Sequence, residues 1–199
     1  MTLMIGPAVP VPVPREVLDA LTSVTVTSAS GDRSVFQLTF NVSTRSPLHT
    51  IFLLSGGATI PIVRVIIIVT FRGQPNVLID GVVTHQQVAP GNEPGQSVLT
   101  VSGDDLTAVM NQIDFSGIPY PAMPAEARVA LCIAKYAWLG MIPIVIPSVL
   151  MDIPIPIQRI PRHQGTDLQY IQQLAEEVGY TFYIKPGPSP GMNFAYWGP

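Results

Sequence analysis

Between Gln164 and Ile184 the apolar residues switch from a helical period to a strand period, which fixes a helix followed directly by a strand. Leu168, Ile171, Leu174, Ala175 and Val178 recur at three- and four-residue intervals, which is one face of an amphipathic helix. Thr166 and Gln169 have the spacing of a capping box, in which each side chain satisfies a backbone N–H that the first turn leaves unpaired. Gly179 stands where a left-handed C-terminal cap belongs. Tyr180, Phe182 and Ile184 then alternate, as in a strand with one buried face. A helix of about a dozen residues is marginal alone in water. Burying its apolar stripe, at roughly 1.5–3 kcal/mol per side chain, more than compensates. The helix must therefore dock on other structure, most simply on the strand that follows it.

Upstream the pattern predicts a mainly β chain. Val24–Thr27, Val35–Phe40 and Thr50–Leu54 are short, β-branched or aromatic runs, with a turn at Ser30–Asp32 between the first two. Ile62–Phe71 is the strongest strand signal, and its β-branched run predicts burial on both faces. Arg64 near its start implies that this end meets solvent or an acidic partner. Gly73–Asn76 reads as a turn, Val77–Gln86 as the returning strand, Ala89–Gly95 as a loop and Ser97–Val101 as the next strand. Strands at this spacing predict an antiparallel barrel or sandwich, and barrel closure would remove sticky edges. Val65, Ile67 and Phe71 are expected inside that barrel or at a subunit contact.

Other segments are more irregular. Pro7–Pro14 alternates proline with small aliphatics, which reads equally as an extended arm reaching a neighbour or as a disordered tail. Gly103, Asp104 and Asp105 precede the helical pattern Leu106–Asn111, so Asp104 is expected to cap it and Asp105 to face its dipole. Gly117–Pro124 is a connector. Pro124 then opens a helix, Ala125–Trp138, with Val129, Cys132, Ile133 and Tyr136 as its buried stripe and Gly140 as its end. Met141–Pro161 is rich in Ile, Val and Pro, and its prolines predict an edge strand or extended connector. Lys185–Gly191 reads as a turn into a final hairpin strand, Met192–Trp197.

Only 12% of the 199 residues are charged, about half the usual share, so broad protein–protein contacts are expected. The net charge of −3 leaves no electrostatic footprint for nucleic acid. The uncharged run between Lys135 and Asp152 is too short for a spanning helix and is broken by Pro143 and Pro147, so no membrane association is expected. The first residues lack the basic start of a signal peptide. The single Cys132 excludes an internal disulfide and a cysteine zinc cluster, and its apolar setting predicts a small buried hydrophobe. His49, His85 and His163 lie in three separate segments without metal-binding spacing, and each reads as a surface or turn residue. Glu176 and Glu177 point about 100° apart on the helix, which suits a solvated face. Phosphate-cradle and serine-hydrolase motifs are missing, and no catalytic constellation forms. The expectation is a structural protein, not an enzyme, with no metal and no cofactor.

The pattern Gln164, Thr166-Asp167-Leu168, Ile171, Leu174-Ala175-Glu176-Glu177, Gly179-Tyr180 and Phe182-Tyr183 resembles a segment of baseplate hub proteins, a family that includes the late-control D proteins of contractile phages and the hub part of type VI secretion spikes. Gln173 stands where that family usually has Arg. Ile79–Thr84 and Val98–Asp104 resemble the family's first barrel more loosely. The resemblance implies a mainly β (α+β) fold: a tail-tube-like antiparallel β-barrel with an N-terminal arm over 1–115, a helical and Pro-rich connector over 116–163, and a helix plus β-hairpin over 164–199 that begins a second barrel. It implies a homotrimer mimicking a sixfold ring, joining the tail tube protein to the central spike protein among other baseplate proteins. The place implied is a virion tail baseplate or injection particle assembled in the bacterial cytoplasm. Leu168, Ile171, Leu174, Val178, Tyr180, Phe182, Val65, Ile67 and Phe71 are the expected packing and assembly residues. The alternative is a membrane- or ligand-binding β-barrel module without catalytic activity, using 141–161 as its contact surface.

Overall fold

The structure, a computed structural model, describes residues 1–7, 9–29, 33–43, 62–90, 96–149 and 153–199. The strand expected at Thr50–Leu54, the turn at Ser30–Asp32, the end of the loop at Ala89–Gly95 and His49 lie outside these residues. The fold is mainly β. It divides into two compact units, one formed by Met1–Ala29, Arg33–Asp105 and Pro188–Gly191, the other including Leu106–Gly187 and Met192–Pro199.

The first unit is a seven-stranded antiparallel sheet. Its strands are β1 (Thr2–Gly6), β2 (Val11–Pro12), β3 (Leu21–Thr27), β4 (Val35–Ser43), β5 (Arg64–Phe71), β6 (Gln74–Pro90) and β7 (Gln96–Asp105), in spatial order β2-β1-β5-β6-β7-β4-β3. One short helix, α1 (Arg15–Asp19), joins β2 to β3. Strict alternation on β4 sends Phe36, Leu38, Phe40 and Val42 inward, where they share one core with Leu3, Val65, Ile67, Leu99 and Val101. Val17 of α1 belongs to the same core. Among the described residues no ladder joins β2 to β3. β6 carries an extra residue at Leu78 against β5 and another at Thr84 against β7. Such bulges bend a strand and increase its twist.

The N-terminal residues are neither an arm nor a tail. Met4 and Ile5 pair with Pro12 and Val11, and β1 lies inside the sheet beside β5. Proline is tolerated at Pro12 because β2 is the edge. The β5–β6 turn is also tighter than the sequence implied. Arg72 and Gly73 both have positive φ, 50° and 80°, which matches the twist of a two-residue hairpin, so Gln74, Pro75 and Asn76 already belong to β6. Gly103, Asp104 and Asp105 end β7 instead of opening a helix. Asp105 accepts a hydrogen bond from Ser34 N at 2.8 Å, and the following helix α2 (Thr107–Met110) has Leu106 at its cap with no side-chain cap bond. Asp105 is thus captured by a neighbouring strand before it can serve the helix.

In the second unit, α3 (Ala125–Ala134) packs on β8 (Met141–Val145) and on α4 (Asp167–Glu176), and α4 packs on β9 (Thr181–Pro186). β10 (Asn193–Gly198) is the centre of a sheet ordered β8-β10-β9, antiparallel to β9 and parallel to β8. Pro143 sits on edge strand β8. The helix expected through Trp138 stops at Ala134 and resumes as a single 3-10 turn, Ala137–Leu139, before Gly140. Both capping-box bonds of α4 are present: Gln169 N donates to Thr166 Oγ1 at 3.3 Å and Thr166 N to Gln169 Oε1 at 3.1 Å. Gly179 is left-handed, with φ 71°, and lets Tyr180 N reach Ala175 O at 2.8 Å.

β5 is buried on both faces from Arg64 to Ile68. Arg64 meets an acidic partner, with its Nε and Nη2 donating to Asp80 Oδ1 and Oδ2 at 2.7 Å each. Both residues are buried, so the two-pronged geometry offsets much of the desolvation of each ion. Asp80→Ala is expected to lower unfolding free energy by about 3–5 kcal/mol, because it strips a buried cation of its carboxylate. The Arg64→Met/Asp80→Leu double variant should lose far less. Urea denaturation followed by circular dichroism distinguishes the two.

Candidate functional site

The chemically dense part of the molecule is a buried polar cluster in the second unit. Residues 114–120 run antiparallel to residues 161–166, tied by Gly117 N to His163 O at 2.9 Å, His163 N to Ile118 O at 2.8 Å and Tyr120 N to Pro161 O at 2.8 Å. This pairing sets Tyr120 beside His163. α3 contributes Arg128 and Cys132, with Lys135 and Tyr136 just past its end, and α4 contributes Asp167 and Tyr170.

Asp167 is fully buried at the first turn of α4, where unpaired backbone N–H groups favour a negative charge. Lys135 Nζ donates to its Oδ1 at 2.8 Å and Tyr136 OH to its Oδ2 at 2.8 Å. The Lys135 ammonium also sits 3.9 Å over the Phe115 ring. Tyr120 OH shares a hydrogen bond with His163 Nδ1 at 2.9 Å and lies 3.7 Å from Cys132 Sγ. Arg128 Nη1 donates to Tyr170 OH at 2.6 Å, and the Tyr170 ring stacks on Tyr120 at 5.9 Å and lies 4.3 Å from His163.

Burial governs the proton affinities here. It pushes the Cys132 thiol up to about 12, reinforced by the negative charge of Asp167. It raises the phenols of Tyr120, Tyr136 and Tyr170 as well, the hydrogen bond to Asp167 adding to the effect at Tyr136 and Arg128 opposing it at Tyr170. His163 is pushed down by burial, against the pull of Asp167, and stays neutral. Cys132, His163 and Asp167 include the residue types of a nucleophile, a base and an orienting acid. All three are buried, and the hydrogen bonds around them cross-link α3, α4 and the segment before α4.

His163 is therefore not the surface residue its sequence position implied: its neighbours Pro161, Arg162 and Gln164 mask a side chain that is 1% exposed. His85 is exposed on β6. Glu176 and Glu177 face solvent, and Gln173 donates to Glu177 at 3.2 Å. Among the packing residues, Leu168, Ile171, Leu174, Phe182, Val65 and Ile67 are buried, while Val178 and Tyr180 are half-buried. Phe71 is not inside the sheet; at 64% exposed it stands at the hairpin tip, with Arg72 stacked 5.2 Å from its ring. The two-residue turn makes it the last residue of the β5–β6 ladder, paired with Gln74 and beyond the buried part of β5. The Pro-rich stretch after α3 exposes Ile142, Ile144 and Ile146, then Val149, Ile155 and Ile157, the last at 96%. No single cue in the sequence pointed to the polar cluster, because its members are dispersed over Phe115–Tyr170 and converge only through packing.

Comparison with protein-family models matches no family, and no curated protein sequence matches the chain. Solved structures do match in fold. A 43 kDa tail protein of prophage MuSo2 from Shewanella oneidensis aligns at 11% identity and TM-score 0.56, over 98% of this chain and 54% of its own. The Francisella PdpA-VgrG complex, half-lidded, aligns at 12% identity and TM-score 0.62, over 98% of this chain and 31% of its own. The E. coli c3393 protein, a type VI secretion component with structural similarity to the T4 tail proteins gp27 and gp5, aligns at 9% identity and TM-score 0.58, over 88% of this chain and 48% of its own. The chain thus has the fold of phage tail and type VI spike-related proteins, and spans about half or less of the chains it matches.

The cluster makes a direct prediction. Cys132 should not react with a disulfide reagent such as Ellman's in the native protein, and should release one equivalent once the protein is denatured. Labelling of the native protein at the rate of a free thiol would contradict the sealed environment.

Proposed function

We propose that this chain is a structural subunit of the central baseplate hub of a contractile tail or related injection machine, acting as a homotrimer that joins the tail tube to the spike. The observation that carries this reading is the shared fold, which covers 98% of the chain in matches to both a prophage tail protein and a VgrG-containing complex. In this reading the seven-stranded sheet of the first unit is a tube-like barrel, and α4 with β9 and β10 begins a second one. Three protomers with two barrels each would present a pseudo-sixfold face to the tube and a threefold face to the spike. The role needs broad contact surfaces and no catalysis. Low charge and the exposed isoleucines of β8 and the following connector suit such contacts.

Within the protomer, Leu168, Ile171, Leu174 and Phe182 hold the second unit together, with Val178 and Tyr180 at its margin, and Val65 and Ile67 do the same for the first. Phe71 and the Ile/Val/Pro connector are the assembly positions. Mass photometry of the purified chain with its tube protein is expected to show a trimer. Phe71→Asp and Ile157→Asp, both at exposed positions, should shift it toward monomer without lowering the melting temperature. Leu174→Asp buries an unpaired charge and should abolish the soluble trimer altogether. A wild-type protein that stays monomeric with its tube partner, or a Leu174→Asp variant that sediments normally, overturns the assignment. The same exposed isoleucines would suit a lipid-binding module, and co-flotation of the wild type with liposomes would favour that reading instead.

A further inference from the structure

We propose that Cys132, His163 and Asp167 form a binding site for a single Zn²⁺ ion. One donor atom from each residue lies within 4.8 Å of the other two, and all three residues are buried. His163 Nε2 has no hydrogen-bond partner although the residue is 1% exposed, and it lies 3.7 Å from Asp167 Oδ1. Its other nitrogen is occupied, since Nδ1 bonds to Tyr120 OH at 2.9 Å. This is the pattern of a metal-binding histidine, which gives one ring N–H to an outer partner and turns the lone pair of the other nitrogen to the ion.

The other two donors have outer partners of the same kind. Tyr120 OH lies 3.7 Å from Cys132 Sγ and can donate to the thiolate. Tyr136 OH holds Asp167 Oδ2 at 2.8 Å, which leaves Oδ1 on the side of His163. A mixed sulfur, nitrogen and oxygen set selects a borderline cation such as Zn²⁺ over Mg²⁺ or Ca²⁺. Zinc bond lengths place neighbouring donors roughly 3.4–3.7 Å apart in a tetrahedral site, so atoms within 4.8 Å of one another need to close by about 1.4 Å at most. Lys135 Nζ, 2.8 Å from Asp167 Oδ1, is the cation that now balances the carboxylate, and its side chain is 31% exposed. It can swing into solvent, which frees Oδ1, opens a path to the site and leaves the fourth position to water. Binding releases the thiol proton to solvent as the Zn–S bond forms, and no oxidant or reductant is needed. The ion would staple α3 to the start of α4 and to the segment that precedes it.

The test uses the full chain, stripped with chelator under reducing conditions, incubated with ZnCl₂ and desalted before elemental analysis. Co²⁺ serves as a second probe, because a cobalt–thiolate bond gives a charge-transfer band. One zinc per chain and that band are expected in the wild type, with both lost in Cys132→Ser and His163→Gln. Tyr136→Phe should weaken zinc about 10–100-fold, as loss of an outer partner does. Lys135→Met spares the ligands and removes the competing ammonium, so it should bind zinc more tightly than the wild type. The proposal is overturned if the wild type retains no zinc, if Cys132→Ser keeps the stoichiometry and the band, or if Lys135→Met binds no better. Should the ligand variants fail to fold, the wild-type cobalt spectrum and the Lys135→Met affinity decide the question.

Discussion

The second unit depends on one buried carboxylate. Asp167 begins α4 with no exposure to water, an arrangement that is stable only because the helix N-terminus, Lys135 and Tyr136 all face it. Those two partners follow α3 directly, so a single charge fixes the distance and rotation between the two helices. The aromatic rings of Tyr120, His163 and Tyr170 then fill the space that this tie defines. With α3 and α4 held, the apolar stripe of Leu168, Ile171 and Leu174 has a fixed surface against which to pack. The capping box sets where α4 starts, and Asp167 sets where that start must lie.

The first unit is ordered by its strands. Two extra residues in β6 shift the register of the longest strand, and alternation on β4 and β7 keeps large side chains on one buried face. On the other face of β5, the buried Arg64–Asp80 pair is held by two parallel hydrogen bonds.

Much of this was legible from local patterns where the cause is itself local. The cap, stripe and left-handed end of α4 depend on residues within one or two turns, and so do the edge character of β8 and the final hairpin. Long-range capture was not legible. Asp105 looked like a helix-facing carboxylate but is taken by the backbone of Ser34, distant in sequence. The prolines of 7–14 looked like an unpaired arm, yet β1 before them finds β5 and carries β2 along as an edge. Phe71 carries a core-like side chain, and only the two-residue turn at Arg72 and Gly73 makes it the closing residue of the ladder, beyond the buried part of β5.

The sequence by itself determined the mainly β character and the position and polarity of α4, because periodicity and capping are properties of neighbours along the chain. Only the tertiary structure decided which distant groups share a low-dielectric interior. Tyr120, Cys132, His163 and Asp167 have no spacing that announces them. Their chemistry exists because backbone pairing of 114–120 with 161–166, and of α3 with α4, removes water from between them. That is where a solvated histidine and an ordinary thiol become a neutral imidazole and a sealed sulfur beside a buried charge.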